Sequence, residues 1–193
     1  MEDAGADRLR AAIMRWGRVE GTLLKVDDFL NHRVDPDLIV GVGDALAERF
    51  AAADPDLVLT AEASGIAPAL ACALRLRLPM VFAKKYLGSG GRDVYFREVF
   101  SPTRGMEYRV EVFRRALSPG LRVLVIDDFL AGGRTAEALG EITEEAACLV
   151  AGLGFAIEKT FQDGRRRLNA HGWPVDALAR VASLEGGRVL FAD

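Results

Sequence analysis

Five short stretches of this sequence are apolar almost without interruption: Leu57–Ala61, Pro79–Ala83, Arg122–Ile126, Cys148–Ile157 and Val175–Val181. Strands with one solvated face alternate apolar and polar residues, so strands that are apolar throughout have both faces covered. Between them lie segments of helical length, an alanine-rich one over 66–76 and another that follows a glycine pair and runs to about 147. This alternation specifies an α/β fold, doubly wound, with a mainly parallel sheet flanked by helices. Upstream, residues 7–17 carry apolar positions at helical spacing and end in Gly17, and a second amphipathic helix is expected over about 36–53. The pattern breaks between Lys84 and Leu121. There Gly88–Gly91 reads as a flexible stretch, and Val94–Phe100 and Glu107–Phe113 read as the arms of a hairpin. A long excursion of this kind is expected to be a functional lid, spanning about 86–113.

Composition narrows the classes that remain. A chain of 193 residues suits one domain, 1–193, that buries roughly 70% of its unfolded surface and needs no staples. Cys72 and Cys148 sit in apolar runs and read as buried, reduced thiols; with two histidines and no ligand spacing, a zinc site is not expected. The acidic N-terminus has no signal-peptide core and no apolar run approaches the ~20 residues of a membrane span, so a cytoplasmic protein without membrane contact is expected. The formal charge of −3 offers no field for nucleic acid, and Arg114-Arg115 and Arg165–Arg167 read as solvated faces.

The chemistry concentrates in residues 123–139, VLVIDDFLAGGRTAEAL. An apolar strand delivers Asp127 and Asp128 to the carboxyl edge of the sheet, where open α/β sheets bind ligands. Gly132 and Gly133 let the backbone turn tightly into a helix N-terminus, a ready site for a phosphate, and Thr135 adds a hydroxyl. No Walker or dinucleotide-binding loop carries an acidic pair directly before its glycines. Two carboxylates beside a phosphate cradle match a phosphorylated sugar, whose vicinal hydroxyls the acids would accept. The blander alternative is an acidic turn at a strand end before a capped helix.

The segment 126–135 resembles the phosphoribosyl pyrophosphate motif of type I phosphoribosyltransferases. LLKVDDFLNHRVDP (23–36), EASGIAPA (62–69), IEKTFQDGR (157–165) and SLEGGRVLF (183–191) are similar, in order and spacing, to segments of the bacterial xanthine branch of that family. The resemblance implies an enzyme that transfers a 5-phosphoribosyl group to a free purine, with a hood built from about 1–36 and the C-terminal segment. It implies that Asp127 and Asp128 engage the ribose hydroxyls and that Ala131, Gly132, Gly133, Arg134 and Thr135 wrap the 5-phosphate. It places Glu62, Ala63, Ser64 and Gly65 beside the pyrophosphate, in a loop of unusual backbone geometry. Leu24 and Asn31 match hood residues that contact the purine, and Lys159 matches a lysine facing its 6-oxo group. Of Lys84 and Lys85, which must diverge on a strand, Lys84 is preferred as the pyrophosphate cation. Phe129 is placed equally well in the core or at the purine pocket. Magnesium is implied, held mainly by the substrate and water, and so is a homodimer.

Gly132-Gly133 and Arg134 depart from the xanthine branch, whose members resemble Ala-Asn-Gly-Gln-Ala at 131–135; Arg134 adds a cation there. The competing readings are an adenine phosphoribosyltransferase and a phosphoribosyl pyrophosphate-sensing transcription regulator. Such regulators carry an additional N-terminal DNA-binding domain, whereas the residues before Leu57 match the enzyme's hood.

Overall fold

The computed structural model describes residues 4–87, 93–101 and 105–192. In chain order the elements are α1 (Ala4–Trp16), β1 (Arg18–Glu20), β2 (Leu23–Lys25), α2 (Pro36–Phe50), β3 (Leu57–Ala61), α3 (Ile66–Leu76), β4 (Met80–Tyr86), β5 (Val94–Ser101) and β6 (Met106–Phe113). They continue with β7 (Arg122–Leu130), α4 (Arg134–Glu145), β8 (Leu149–Lys159), α5 (Gly164–Asn169), β9 (Val175–Ser183) and β10 (Leu190–Phe191). A π-helical turn, Asp27–Asn31, separates β2 from α2.

One eight-stranded sheet, ordered β10-β9-β8-β7-β3-β4-β6-β5, organises the chain. Strands β3, β4, β7, β8 and β9 pair in parallel, while β10, β5 and β6 join antiparallel at the two edges. The fold class expected from the apolar runs is therefore the one observed. Every residue of β3 is buried, and β8 is buried from Ala151 to Lys159, which is why these strands lack alternation. One face of the sheet packs under α1, α2 and α3 through Leu9, Ile13, Leu46 and Ala69; the other packs under α4 through Leu139 and Ile142.

The sheet order positions the site. After β3 the chain moves outward to β4, but after β7 it moves the other way, through β8 to β9. The adjacent carboxyl ends of β3 and β7 therefore form a topological switch point, where crossovers leave to opposite sides and open a crevice.

Local chemistry explains the boundaries. Asp35 caps α2 by accepting a hydrogen bond from the Leu38 N–H at 2.9 Å, with Pro36 in the first turn. That helix ends at Phe50, and 51–53 is a separate 3₁₀ turn rather than its continuation. Cys72 and Cys148 are free and buried. Trp173 is a packing group: Gly140 lies so close beneath its ring that any β-carbon there would collide with it.

The hairpin β5–β6 is not detached from the core. β6 pairs with β4, Val99, Val110 and Val112 are buried, and Arg97 reaches α4 by ion pairs to Glu141 and Glu145. The expected flexible stretch Gly88–Gly91 lies outside the described residues. The hairpin β1–β2, with Gly21 at positive φ in its turn, the π-helical turn, α5 and the short β10 were not anticipated from the sequence.

Candidate active site

Strand β7 runs beyond its apolar run to Leu130, so Asp127 and Asp128 are held in extended backbone at the switch point. Both are buried, and each meets a different part of the molecule. Asp128 faces the hood: Asn31 Nδ2 donates to its Oδ2 and Ser64 Oγ to its Oδ1, each at 2.9 Å. Asp127 accepts the Asp128 N–H at 2.9 Å and lines a cavity of about 330 Å³ with Tyr108, Phe129 and residues 131–136. Burial, and then the neighbouring Asp128 charge, push the Asp127 carboxyl well above the usual carboxylate range; Lys85 pulls the other way.

That influence of Lys85 bears on the choice between the two lysines of β4. Lys85, not Lys84, is the lysine of β4 whose charge reaches Asp127, and its ammonium lies 5.5 Å from the centroid of the Tyr108 ring. Adjacent strand residues point to opposite faces. Lys84 accordingly lines a separate cavity with Phe82, Tyr86, Glu111 and Phe113 on the other side of the sheet.

The phosphate-type loop forms as the glycine pair requires. Gly133 has φ +75°, and a β-carbon there would lie 2.9 Å from the Gly164 backbone, so two glycines permit the β7–α4 turn and α5 to touch. Ala131, Gly132, Gly133, Arg134 and Thr135 all line the same cavity as Asp127. Thr135 Oγ1 and the Tyr108 hydroxyl share a hydrogen bond of 2.6 Å, which ties the loop to the hairpin. Arg134 is exposed, with its guanidinium carbon 5.9 Å from the Phe100 ring centroid at the far end of β5.

Between β3 and α3, the Glu62–Ala63 peptide is cis, in line with the unusual geometry expected of that loop. Glu62 Oε1 accepts the Lys85 backbone N–H at 2.8 Å. Gly65 packs so tightly that a β-carbon would collide with Thr60 Oγ1 and Asp127 Oδ1, so this position admits no side chain.

The third group of residues faces the hood. Lys159, at the end of β8, is only 6% exposed; it donates from Nζ to the Thr22 carbonyl at 3.0 Å and lies 5.6 Å from the Phe129 ring centroid. Burial lowers its proton affinity. Phe129 is thus both partly buried core and a border of the site. Leu24 is buried in the hood core, so its side chain has little surface left to offer a base. Tyr108, Phe100 and Gln162 line the site without having been expected. Their only signal was membership of the hairpin and of the segment after Lys159.

Among the described residues, the one three-residue group with metal-ligand spacing is Glu137, Glu141 and His171 on the α4 side, away from the acid pair. Its carboxylates are already paired with Arg167 and Arg97.

An acid pair at a switch point, facing a glycine-rich loop, with a hood above it and a buried lysine at the end of β8, defines a type I phosphoribosyltransferase. Comparison with known proteins agrees. No protein-family model matches the chain. An adenine phosphoribosyltransferase from Rhodothermus marinus is similar in structure with a TM-score of 0.75 and 27% identity, covering 92% of this chain and 98% of that one. One from Thermoanaerobacter pseudethanolicus has a TM-score of 0.73 at 23% identity, covering 90% and 98%, and bears on the fold alone.

In sequence the chain is 45% identical over 188 residues to a xanthine phosphoribosyltransferase of Shouchella clausii, covering 96% of this chain and 94% of that one. It is 47% identical over 172 residues to one of Pseudomonas aeruginosa, covering 89% and 90%. The chain belongs to the xanthine phosphoribosyltransferase family and is an enzyme of purine salvage.

Proposed function

We propose that the chain transfers the 5-phosphoribosyl group of phosphoribosyl pyrophosphate to xanthine, giving xanthosine monophosphate and releasing pyrophosphate. Lys159 carries the choice of a 6-oxopurine over adenine, and likeness to xanthine phosphoribosyltransferases supports xanthine among the 6-oxopurines. Lys159 is a buried donor at the hood end of the site, and it spends one N–H on the Thr22 carbonyl. An ammonium has three donors and no acceptor, so it suits a purine 6-oxo group and opposes the 6-amino group of adenine.

In this reading Asp128, and Asp127 beside it, accept the ribose hydroxyls while the N–H groups of 131–135 and the Thr135 hydroxyl hold the 5-phosphate. Glu62–Gly65 and Lys85 border the pyrophosphate. A purine ring nitrogen attacks the anomeric carbon as the bond to the pyrophosphate oxygen breaks, and no protein nucleophile is required. Positioning, charge neutralisation and exclusion of water supply the acceleration.

The donor set fits magnesium. Asp127, Asp128 and Glu62 offer oxygen only, yet the Asp128 oxygens already hold Asn31 and Ser64, so no closed protein cage is ready. Magnesium keeps waters and substrate oxygens in such sites; when bound it would offset the charge of the leaving pyrophosphate. The hairpin acts as a lid without leaving its base, because β5 and β6 stay packed on α4 and β4.

The working unit is a homodimer formed over the α2–α3 face. A groove of about 590 Å³ there is lined by Val40, Leu70 and Leu74 and reaches the site at Asn31, Ala63 and Ser64. Leu70 and Leu74 are 46% and 70% exposed, an unusual placement unless a second copy covers them. Two reduced, buried cysteines fit the cytoplasm as its location.

Asp128→Ala tests the assignment of the acids. Turnover should fall about tenfold or more while the variant keeps its fold by circular dichroism; near wild-type turnover would remove Asp128 from the site.

A further inference from the structure

The hood reaches the acid pair through the Asn31 side chain. Asn31 is the last residue of the π-helical turn Asp27–Asn31, a widened turn of a kind that concentrates at functional positions. The turn is fixed from within and without. Phe29 and Leu30 are buried in the core, and the N–H groups of Leu30, Arg33 and Asp35 donate to the carbonyls of Val26, Asp27 and Phe29. Asn31 is therefore presented by a rigid support, and its Nδ2 donates to Asp128 Oδ2 across 97 residues of chain. Ser64, from the loop after β3, holds the other carboxylate oxygen. Hydrogen bonds to an ionised acceptor are the strong kind, and a carboxylate gripped at both oxygens has its rotamer fixed before any ligand arrives.

We infer that Asn31 is a positioning residue for Asp128, and that through it the hood couples occupancy of the base site to the acid that receives the sugar. This rests on the reading of Asp128 as the acceptor of the ribose hydroxyls and of Asn31 as a contact of the base. The chemistry of the amide allows both tasks at once. One N–H goes to Asp128, leaving a second N–H and the carbonyl oxygen for a purine edge. A carboxylate has about four acceptor sites, so Asp128 keeps room for a hydroxyl while Asn31 and Ser64 stay in place. A base that fixes the Asn31 amide then also fixes Asp128, and a sugar bound to Asp128 also fixes the amide for the base. Such coupling is reciprocal by thermodynamic necessity.

The test is calorimetric titration of phosphoribosyl pyrophosphate and magnesium into the full chain with no purine present. It compares wild type, Asn31→Ala, Ser64→Ala, Asp128→Asn and the double variant Asn31→Ala/Asp128→Asn. Asn31→Ala should weaken binding about fivefold to tenfold although the base it would contact is absent. Ser64→Ala, which removes the other grip on Asp128 and borders the pyrophosphate as well, should weaken binding at least as much. In the Asp128→Asn background, the further loss on removing Asn31 should shrink to less than about twofold. Unchanged affinity in Asn31→Ala, with only the KM for the purine raised, overturns the inference and leaves the function standing. Asp128→Asn binding like wild type instead removes the role of Asp128, and the inference falls with it.

Discussion

Asp127 combines deep burial with a second carboxylate next to it, and both hold its proton on. The folded chain therefore keeps that proton at pH values where the unfolded chain has lost it. Stability contributed by such a group is fully present below the ordinary carboxylate range and is lost as pH rises through the raised folded value. Asp127→Asn keeps an oxygen for the Asp128 N–H and removes the titration. The variant should melt at a higher temperature than wild type at pH 8, and the gap should narrow towards pH 4 in thermal unfolding. A gap equal at both pH values would contradict this cause. The acid pair and the loop glycines were legible in the sequence because an apolar strand followed by two acids and two glycines leaves the backbone few options. The choice between Lys84 and Lys85 was not. Strand alternation says that the two diverge, but only the sheet's placement of α4 and the hairpin says which one turns towards Asp127.

The hairpin β5–β6 shows what an element adds that its own sequence conceals. Its two arms were readable from composition, yet its pairing with β4 and its packing on α4 depend on partners far along the chain. From this anchored base Tyr108 reaches Thr135, joining the hairpin to the β7–α4 loop by a short hydrogen bond. Tyr108→Phe deletes that bond and keeps the ring. Steady-state kinetics should give a KM for phosphoribosyl pyrophosphate raised about threefold to tenfold, while the KM for the purine changes less; an equal rise in both would argue against this link. The π-helical turn escaped the sequence reading for a related reason. Its five residues, DDFLN, carry no propensity signal for a widened turn, and the burial of Phe29 and Leu30 that fixes it is tertiary.

The molecule as a whole shares its frame with adenine phosphoribosyltransferases and its sequence with xanthine phosphoribosyltransferases. The two likenesses are compatible in the function proposed above, in which the switch point and the glycine loop serve any purine and a few residues under the hood meet the base. The doubly wound sheet was legible from five apolar runs. The strand order that creates the crevice was not, since sequence spacing does not say on which side of β3 each later strand will lie. Assembly is a property at this level too. If the α2–α3 face joins two copies, light scattering should report a dimer for wild type, and Leu74→Asp should shift it towards monomer; a monomeric wild type would remove the dimer from the account.

The most direct measurement is turnover of xanthine, guanine, hypoxanthine and adenine side by side, each with phosphoribosyl pyrophosphate and magnesium. Under the proposed role of Lys159, adenine should be turned over poorly, about a hundredfold less well or worse than the best 6-oxopurine, and likeness to xanthine phosphoribosyltransferases puts xanthine highest in kcat/KM. Adenine as the preferred base, with xanthine inert, would contradict the assignment of Lys159 and of the base together.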